Sequence, residues 1–191
     1  MPDTAEPLIL VEDLDGVRTL TLNRPDKRNA LNTPLTQAVL DAFLAAEADD
    51  SVRAIVVAGA GRGFCAGADL TEFDHLTPNN AGAVAARAEL TTRTQRIARS
   101  ITTPVVAAVH GAAVGGGAGL ALGADMLIVA DDVKLGFPEL KHSIVPAIVM
   151  AGLREHFGTK VAFELVGTGR FVQAPELLER GVANDVTSLE D

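Results

Sequence analysis

Neither tryptophan nor tyrosine occurs in the 191 residues, and phenylalanine occurs only seven times. Stacking platforms for nucleobases and sugar rings are built from such side chains, so recognition of that kind is not expected. Basic residues are also scarce: 16 Lys and Arg face 25 Asp and Glu, for a formal net charge of −9. A nucleic-acid binder needs a basic footprint, and that class is set aside. Cysteine appears once, as Cys65, which excludes an internal disulfide. The four histidines (His75, His110, His142 and His156) lack metal-site spacing, so no metal is expected. Apolar runs fall short of a bilayer span, and "MPDTAEPLIL" lacks the basic-then-apolar layout of a secretory leader. The expectation is a cytoplasmic protein with no membrane partner.

What is present is enough apolar material, 48% of the residues, for one sizeable core, and residues 1–191 read as a single domain. Leu8 to Val11 and Val17 to Leu22 flank Asp15-Gly16, a hairpin dipeptide. "NTPLTQAVLDAFLAAEADD" reads as an amphipathic helix with Thr33 as N-cap and Leu35, Val39, Ala42, Phe43 and Ala46 on one face. "RAIVVAG" and "PVVAAVHG" are short apolar runs of the kind that form strands buried on both faces. Between them a mobile loop, "HLTPNNAG", precedes a helix over Ala81 to Ser100. Further on, a helix through Leu122 leads to the strand "MLIVA", an extended "VKLGF", and helices over Val145 to His156, Lys160 to Val166 and Pro175 to Arg180. Alternation of strand and helix makes the class α/β.

One geometry occurs twice. "RAIVVAGAGRGFCAGADL" and "PVVAAVHGAAVGGGAGLAL" each run from an apolar strand through a glycine-rich turn into a helix start. Such turns admit close approach of a ligand and leave backbone N–H groups unclaimed at the positive end of the helix. Two of them can aim two donors at one oxygen, which is the requirement of an oxyanion hole. Rival readings of the glycines are weaker: "GRGFCA" lies outside the first βα unit, no G-K-[ST] is present, and none of the four serines sits in G-x-S-x-G. Tight helix–strand packing accounts for one such turn more readily than for two.

The blocks "LNRPDKRNALN", "AIVVAGAGRGFCAGADL", "PVVAAVHGAAVGGGAGLALGAD" and "FPEL......VP", in this order, resemble the enoyl-CoA hydratase/isomerase (crotonase) family from about Val17 to Val186. The resemblance implies a spiral of ββα units, a homotrimer or a hexamer formed as a dimer of trimers, and an acyl-CoA thioester as substrate, with coenzyme A entering only as part of it. It also implies C-terminal helices covering the acyl pocket, which are expected to be lacking here because the sequence stops at "GVANDVTSLED".

Carried over residue by residue, the thioester oxygen falls between the amides of Ala68 and Gly116. Ala66, Ala68, Asp69, Leu70 and Thr71 correspond to the acyl and pantetheine path, although Asp69 reads better as a helix cap than as a catalyst. Lys27, Ala30 and Leu31 correspond to the nucleotide contact, the last two through their backbone, with Arg28 a second cation for the phosphates. Cys65 reads as a packed thiol. Hydratases of the family use two glutamates. One matches Glu139, seven residues before Pro146; the other should stand at position 119, which holds glycine. A single carboxylate fits a 3-enoyl/2-enoyl-CoA isomerase that shuttles one proton. Hydration with an unconventional second group, decarboxylase or thioesterase-like chemistry, and a non-catalytic acyl-CoA-binding or assembly role stay open. Glu72, Asp74, Glu89, His75 and His142 are lesser candidates for an acid or base.

Overall fold

A computed structural model describes residues 6–74 and 76–190; His75 and the first five residues of the N-terminal segment lie outside the described residues. The chain opens with the expected hairpin, β1 (Ile9–Leu14) and β2 (Val17–Leu22), paired antiparallel. Asp15 and Gly16 both have positive φ, 51° and 83°, the turn that matches strand twist. Helix α1 (Thr33–Glu47) buries Leu35, Val39, Leu40, Phe43 and Ala46. Its N-cap is Asn32 rather than Thr33: the Asn32 side chain accepts from Leu35 N–H at 2.9 Å, which shifts the start by one residue. Strand β3 (Ala54–Gly59) and β4 (Val105–Val109) then bracket a long excursion that carries α2 (Ala81–Ser100). Within "HLTPNNAG", Pro78–Asn80 forms a 3₁₀ turn leading into α2.

The second glycine-rich segment does more than turn. After His110 it forms β5 (Ala112–Val114), and only then starts α3 (Gly116–Gly123). Strand β6 (Met126–Ala130) and β7 (Lys134–Gly136) follow, then α4 (Met150–Thr168), which begins later than expected and is broken at Gly158 by φ 72° and ψ 166°. The chain closes with β8 (Phe171–Gln173), α5 (Ala174–Glu179) and β9 (Asp185–Thr187). The three short strands β5, β8 and β9 escape a periodicity reading because three residues show too little alternation.

Six strands form one sheet in the order β1-β2-β3-β4-β6-β9, parallel from β2 onward, and β5-β7-β8 form a second. Successive units send one strand to each sheet: β4, β5 and α3, then β6, β7 and α4. In the preceding unit the second strand is reduced to one bridge, Cys65 to Ala113. The result is the α/β spiral of ββα units. Its core runs from Leu20 and Phe43 through Val109 and Ala118 to Leu153 and Leu177 as one contiguous cluster. No helix among the described residues is long and apolar enough to cross a membrane, and no described group of three or more His, Cys, Asp or Glu is placed to hold a metal.

Glu47, the last residue of α1, fastens that helix to the approach of β4. Its carboxylate accepts from the N–H and Oγ1 of both Thr102 and Thr103, at 2.6 to 3.0 Å. These four bonds hold its pKa at about 2, below the ordinary 4.5. A lowered folded-state pKa means stability that is present above the ordinary value and lost as pH falls through the folded one. Glu47→Gln is therefore expected to lose less stability than the wild type between pH 4.5 and pH 2, read as the shift in urea midpoint at each pH. Equal losses in the two proteins would count against this bond set as a contributor to acid sensitivity.

Candidate active site

The two glycine-rich segments meet along the run Phe64 to Asp69, which is held from both sides. Toward β5, Phe64 N–H donates to His110 O, Cys65 N–H to Ala112 O, and Val114 N–H to Cys65 O. Toward the Arg28–Leu31 turn, Ala66 N–H donates to Arg28 O, Leu31 N–H to Gly67 O, and Asp69 N–H to Leu31 O. The turn itself is built on Asn29, fully buried with φ 54°. Its Nδ2 donates to the carbonyls of Ala60, Gly63 and Phe64 at 2.9 to 3.1 Å, and its Oδ1 accepts from Arg24 N–H. Sequence reasoning missed Asn29. Its signal was an Asn inside a short polar turn, a type that tolerates left-handed backbone and can bond neighbouring peptides.

Within that clamped run the N–H of Ala68 donates to no described group, and neither does the N–H of Gly116, at the first turn of α3. The two segments are in contact: a side chain at Gly67 would lie 2.7 Å from Val114 O and 3.7 Å from Gly116 N. Both amides border a cavity of about 440 Å³, with the apolar Leu70, Phe73, Val84 and Ile144 on its walls.

Glu139 reaches this cavity from the other side. Gly115 N–H donates to Gly136 O at 2.8 Å, which draws the end of β7 against the start of α3. After the buried Phe137, Glu139 opens a 3₁₀ turn (Glu139–His142) closed by Ser143 in left-handed backbone. Its carboxylate lies against Gly115, where a side chain would meet Oε1 at 2.9 Å, and Gly115 also has φ 52°. Two independent reasons thus require glycine there. Glu139 Oε2 is buried without a hydrogen-bond partner among the described residues. Burial raises its pKa above the ordinary carboxylate value, an effect opposed by its own backbone and by nearby His142, which lines the same cavity.

The other expected residues are distributed as follows. Asp69 caps the 3₁₀ turn Leu70–Glu72, accepting from Thr71 N–H and Thr71 Oγ1, and pairs with Arg24 at 3.0 Å. Those donors lower its pKa, Thr71 first. Glu72 caps α1, accepting from Thr33 N–H and Oγ1, and faces Arg87 at 3.5 Å. Ala66, Leu70 and Thr71 stay with the Ala68 segment, Ala66 and Leu70 on the cavity wall. Lys27 and Arg28 are exposed. The backbone groups of Ala30 and Leu31 are already engaged: Ala30 N–H with Lys27 O, Ala30 O with Arg24 Nη1 and Asn32 N–H, and Leu31 O with Asp69 N–H and Arg87 Nη2. Cys65 is buried under Gly117, donates to Asn29 O, and is pushed up to about 12 by desolvation.

Gly119 does not leave a gap. A side chain there would meet Gln95 of α2, with Oε1 at 2.8 Å and Cδ at 3.0 Å, and one at Gly116 would meet Gln95 Nε2 at 3.3 Å. Arg87, Thr91 and Gln95, spaced four apart on α2, line the cavity together. Gln95 is a second residue that the sequence did not single out, because its helix reads as amphipathic and nothing local ties it to position 119.

The fold is that of the ββα spiral enzymes, and comparison with known proteins agrees. Residues 12–191 match the family model Enoyl-CoA hydratase/isomerase, and the chain belongs to this family. It is 37% identical over 186 residues to the probable enoyl-CoA hydratase echA8 of Mycobacterium tuberculosis, covering 96% of this chain and 70% of that protein. It is 35% identical over 176 residues to the mevalonyl-coenzyme A hydratase SIDH of Beauveria bassiana, covering 89% and 63%. Among solved structures, an enoyl-CoA hydratase/carnithine racemase from Magnetospirillum magneticum superposes with TM-score 0.89 at 34% identity, over 97% of this chain and 70% of that one. The chain spans roughly two thirds of the length of these relatives.

Two predictions follow from this geometry. Asn29→Ala strips the donors from three carbonyls and puts alanine at positive φ, and is expected to cost about 3 kcal/mol or more in urea unfolding; a loss below about 1 kcal/mol would show that Asn29 does not hold the turn. Glu139→Gln removes an ionised group from a desolvating site. Because the folded pKa is raised, ionisation disfavours the fold at neutral pH and ceases to do so as pH falls below the ordinary carboxylate value of 4.5. The variant is expected to melt above the wild type at pH 7 and to converge with it in acid; a lower Tm at pH 7 would contradict the desolvation.

Proposed function

We propose that this chain binds an acyl-CoA thioester, receives the thioester oxygen between the N–H groups of Ala68 and Gly116, and moves a proton with Glu139 as a 3-enoyl/2-enoyl-CoA isomerase. The observation that carries this reading is one buried carboxylate oxygen without a partner, beside a cavity bordered by two unclaimed backbone donors, with glycine at position 119. Glu139 takes the C2 proton of a 3-enoyl thioester, and the C–H electron pair passes into a dienolate whose negative charge rests on the thioester oxygen. Fixed N–H dipoles favour that charge more than they favour the neutral carbonyl, so they lower the barrier; one such donor contributes about 3 kcal/mol in comparable sites. The dienolate then re-forms the carbonyl, places the double bond at C2–C3, and takes the proton back from Glu139 at C4. The raised pKa suits the exchange, since a carboxylate nearer neutrality is both a better base and a ready acid.

Coenzyme A is part of the substrate in this reading, with the exposed Lys27 and Arg28 facing its phosphates. A homotrimer or a dimer of trimers working in the cytoplasm completes the picture. Hydration of 2-enoyl thioesters is the second reading, favoured by the names of the relatives above. A non-catalytic acyl-CoA-binding role is the third. Supplying 2-enoyl and 3-enoyl thioesters separately distinguishes them. Double-bond migration at constant mass supports isomerisation, gain of water supports hydration, and binding with neither supports the module. Glu139→Gln is expected to slow deuterium exchange at C2 by at least about 100-fold while CoA affinity stays within about threefold. Unchanged exchange would remove Glu139 from the reaction.

A further inference from the structure

We propose that Gln95 determines which reaction this site performs: its neutral amide occupies the space a carboxylate at position 119 would need, confining chemistry to proton transfer through Glu139 and disfavouring addition of water. The inference rests on the isomerase reading above and adds the residue that enforces it. Three observations carry it. The volume above Gly119 is filled by Gln95, whose Oε1, Cδ and Nε2 all lie within 3.3 Å of where a side chain would begin. The same amide reaches over Gly116, whose N–H is one of the two unclaimed donors, with Nε2 3.3 Å from the corresponding point. Gln95 also borders both this cavity and a neighbouring one of about 650 Å³ on whose wall Gly119 lies, so it stands between the reacting centre and the space beyond.

The chemistry separates an amide from a carboxylate at this place. In hydration the oxygen of water bonds to C3, the C2–C3 π pair moves toward the thioester oxygen, one water proton leaves to a base, and C2 gains a proton from Glu139. The sum is one water added. That step needs a base on the water in addition to the acid at C2. Gln95 can donate to a water or accept from it, but it cannot take its proton near neutral pH. Asp69 and Glu72 also line the cavity but are engaged as caps and ion pairs, and His142 stands on the Glu139 turn; with Glu139 as the proton carrier, removal at C2 and return at C4 is the cycle that closes.

Gln95→Glu installs the missing base from α2 with little change of shape. Gln95→Ala combined with Gly119→Glu installs it from α3 and removes the 2.8 Å conflict that Gly119→Glu alone would create. The experiment incubates wild type and the three variants with a short 2-enoyl-CoA and a short 3-enoyl-CoA in heavy-oxygen water and, separately, in deuterium oxide. The readout is the ratio of water addition to double-bond migration. Gln95→Glu and the double variant are each expected to raise that ratio at least about tenfold over the wild type, the double variant exceeding Gly119→Glu alone. Because the base arrives from two different helices, misfolding of one variant, seen as lost CoA binding, leaves the other to decide. An unchanged ratio with migration intact overturns the role of Gln95 and leaves the isomerase reading standing. A wild type that adds water as fast as the carboxylate variants overturns the role of Gln95 as well. Absence of double-bond migration in the wild type overturns the isomerase reading, and the inference built on it falls too.

Discussion

Everything in this site depends on how the run from Phe64 to Asp69 is held. It belongs to no full strand, yet β5 claims its first residues and the Arg28–Leu31 turn claims its last ones. A peptide segment bonded on alternate sides cannot rotate its remaining amides toward internal acceptors. The free Ala68 N–H is thus a product of its neighbours' bonds and needs no side chain of its own. Asn29 is the keystone, since its buried amide fixes the turn on one side and three carbonyls of the glycine-rich segment on the other. Rigidity of this kind is what lets backbone dipoles act on charge without first being reoriented.

Glu139 shows the opposite tendency. Its position beside Gly115 costs solvation, and no donor among the described residues reaches Oε2 in return. The same burial raises its proton affinity above that of an ordinary carboxylate. That cost is borne within a fold whose buried apolar residues form one contiguous core.

Much of the architecture was legible in the residues because its signals are local. Asp15-Gly16 specifies its own turn, the apolar runs of β3 and β4 specify burial on both faces, and α2 shows its face over twenty residues. What stayed hidden depends on pairs far apart in the chain. Asn32 caps α1 through Leu35 N–H, while Thr33, the expected cap, gives its N–H and Oγ1 to Glu72, 39 positions away. Strand β5 is too short to declare itself without β7 beside it. In the site, Glu139, Ala68 and Gly116 could be carried over from motif order, whereas Gln95 could not. Its importance arises only from the absence of a side chain at Gly119 on another helix. The backbone of Ala30 and Leu31 is likewise committed by Arg24, Asp69 and Arg87, none adjacent to either residue.

The lone thiol of the chain has a consequence of its own. Cys65 lies beneath the turn that presents Ala68, sealed by Gly117 and bonded to Asn29 O, with its thiol held far from ionising at physiological pH. Oxidants and alkylating agents attack thiolates that solvent can reach, and this one is neither exposed nor deprotonated. The packing beneath this turn is thereby shielded from the redox state of its surroundings.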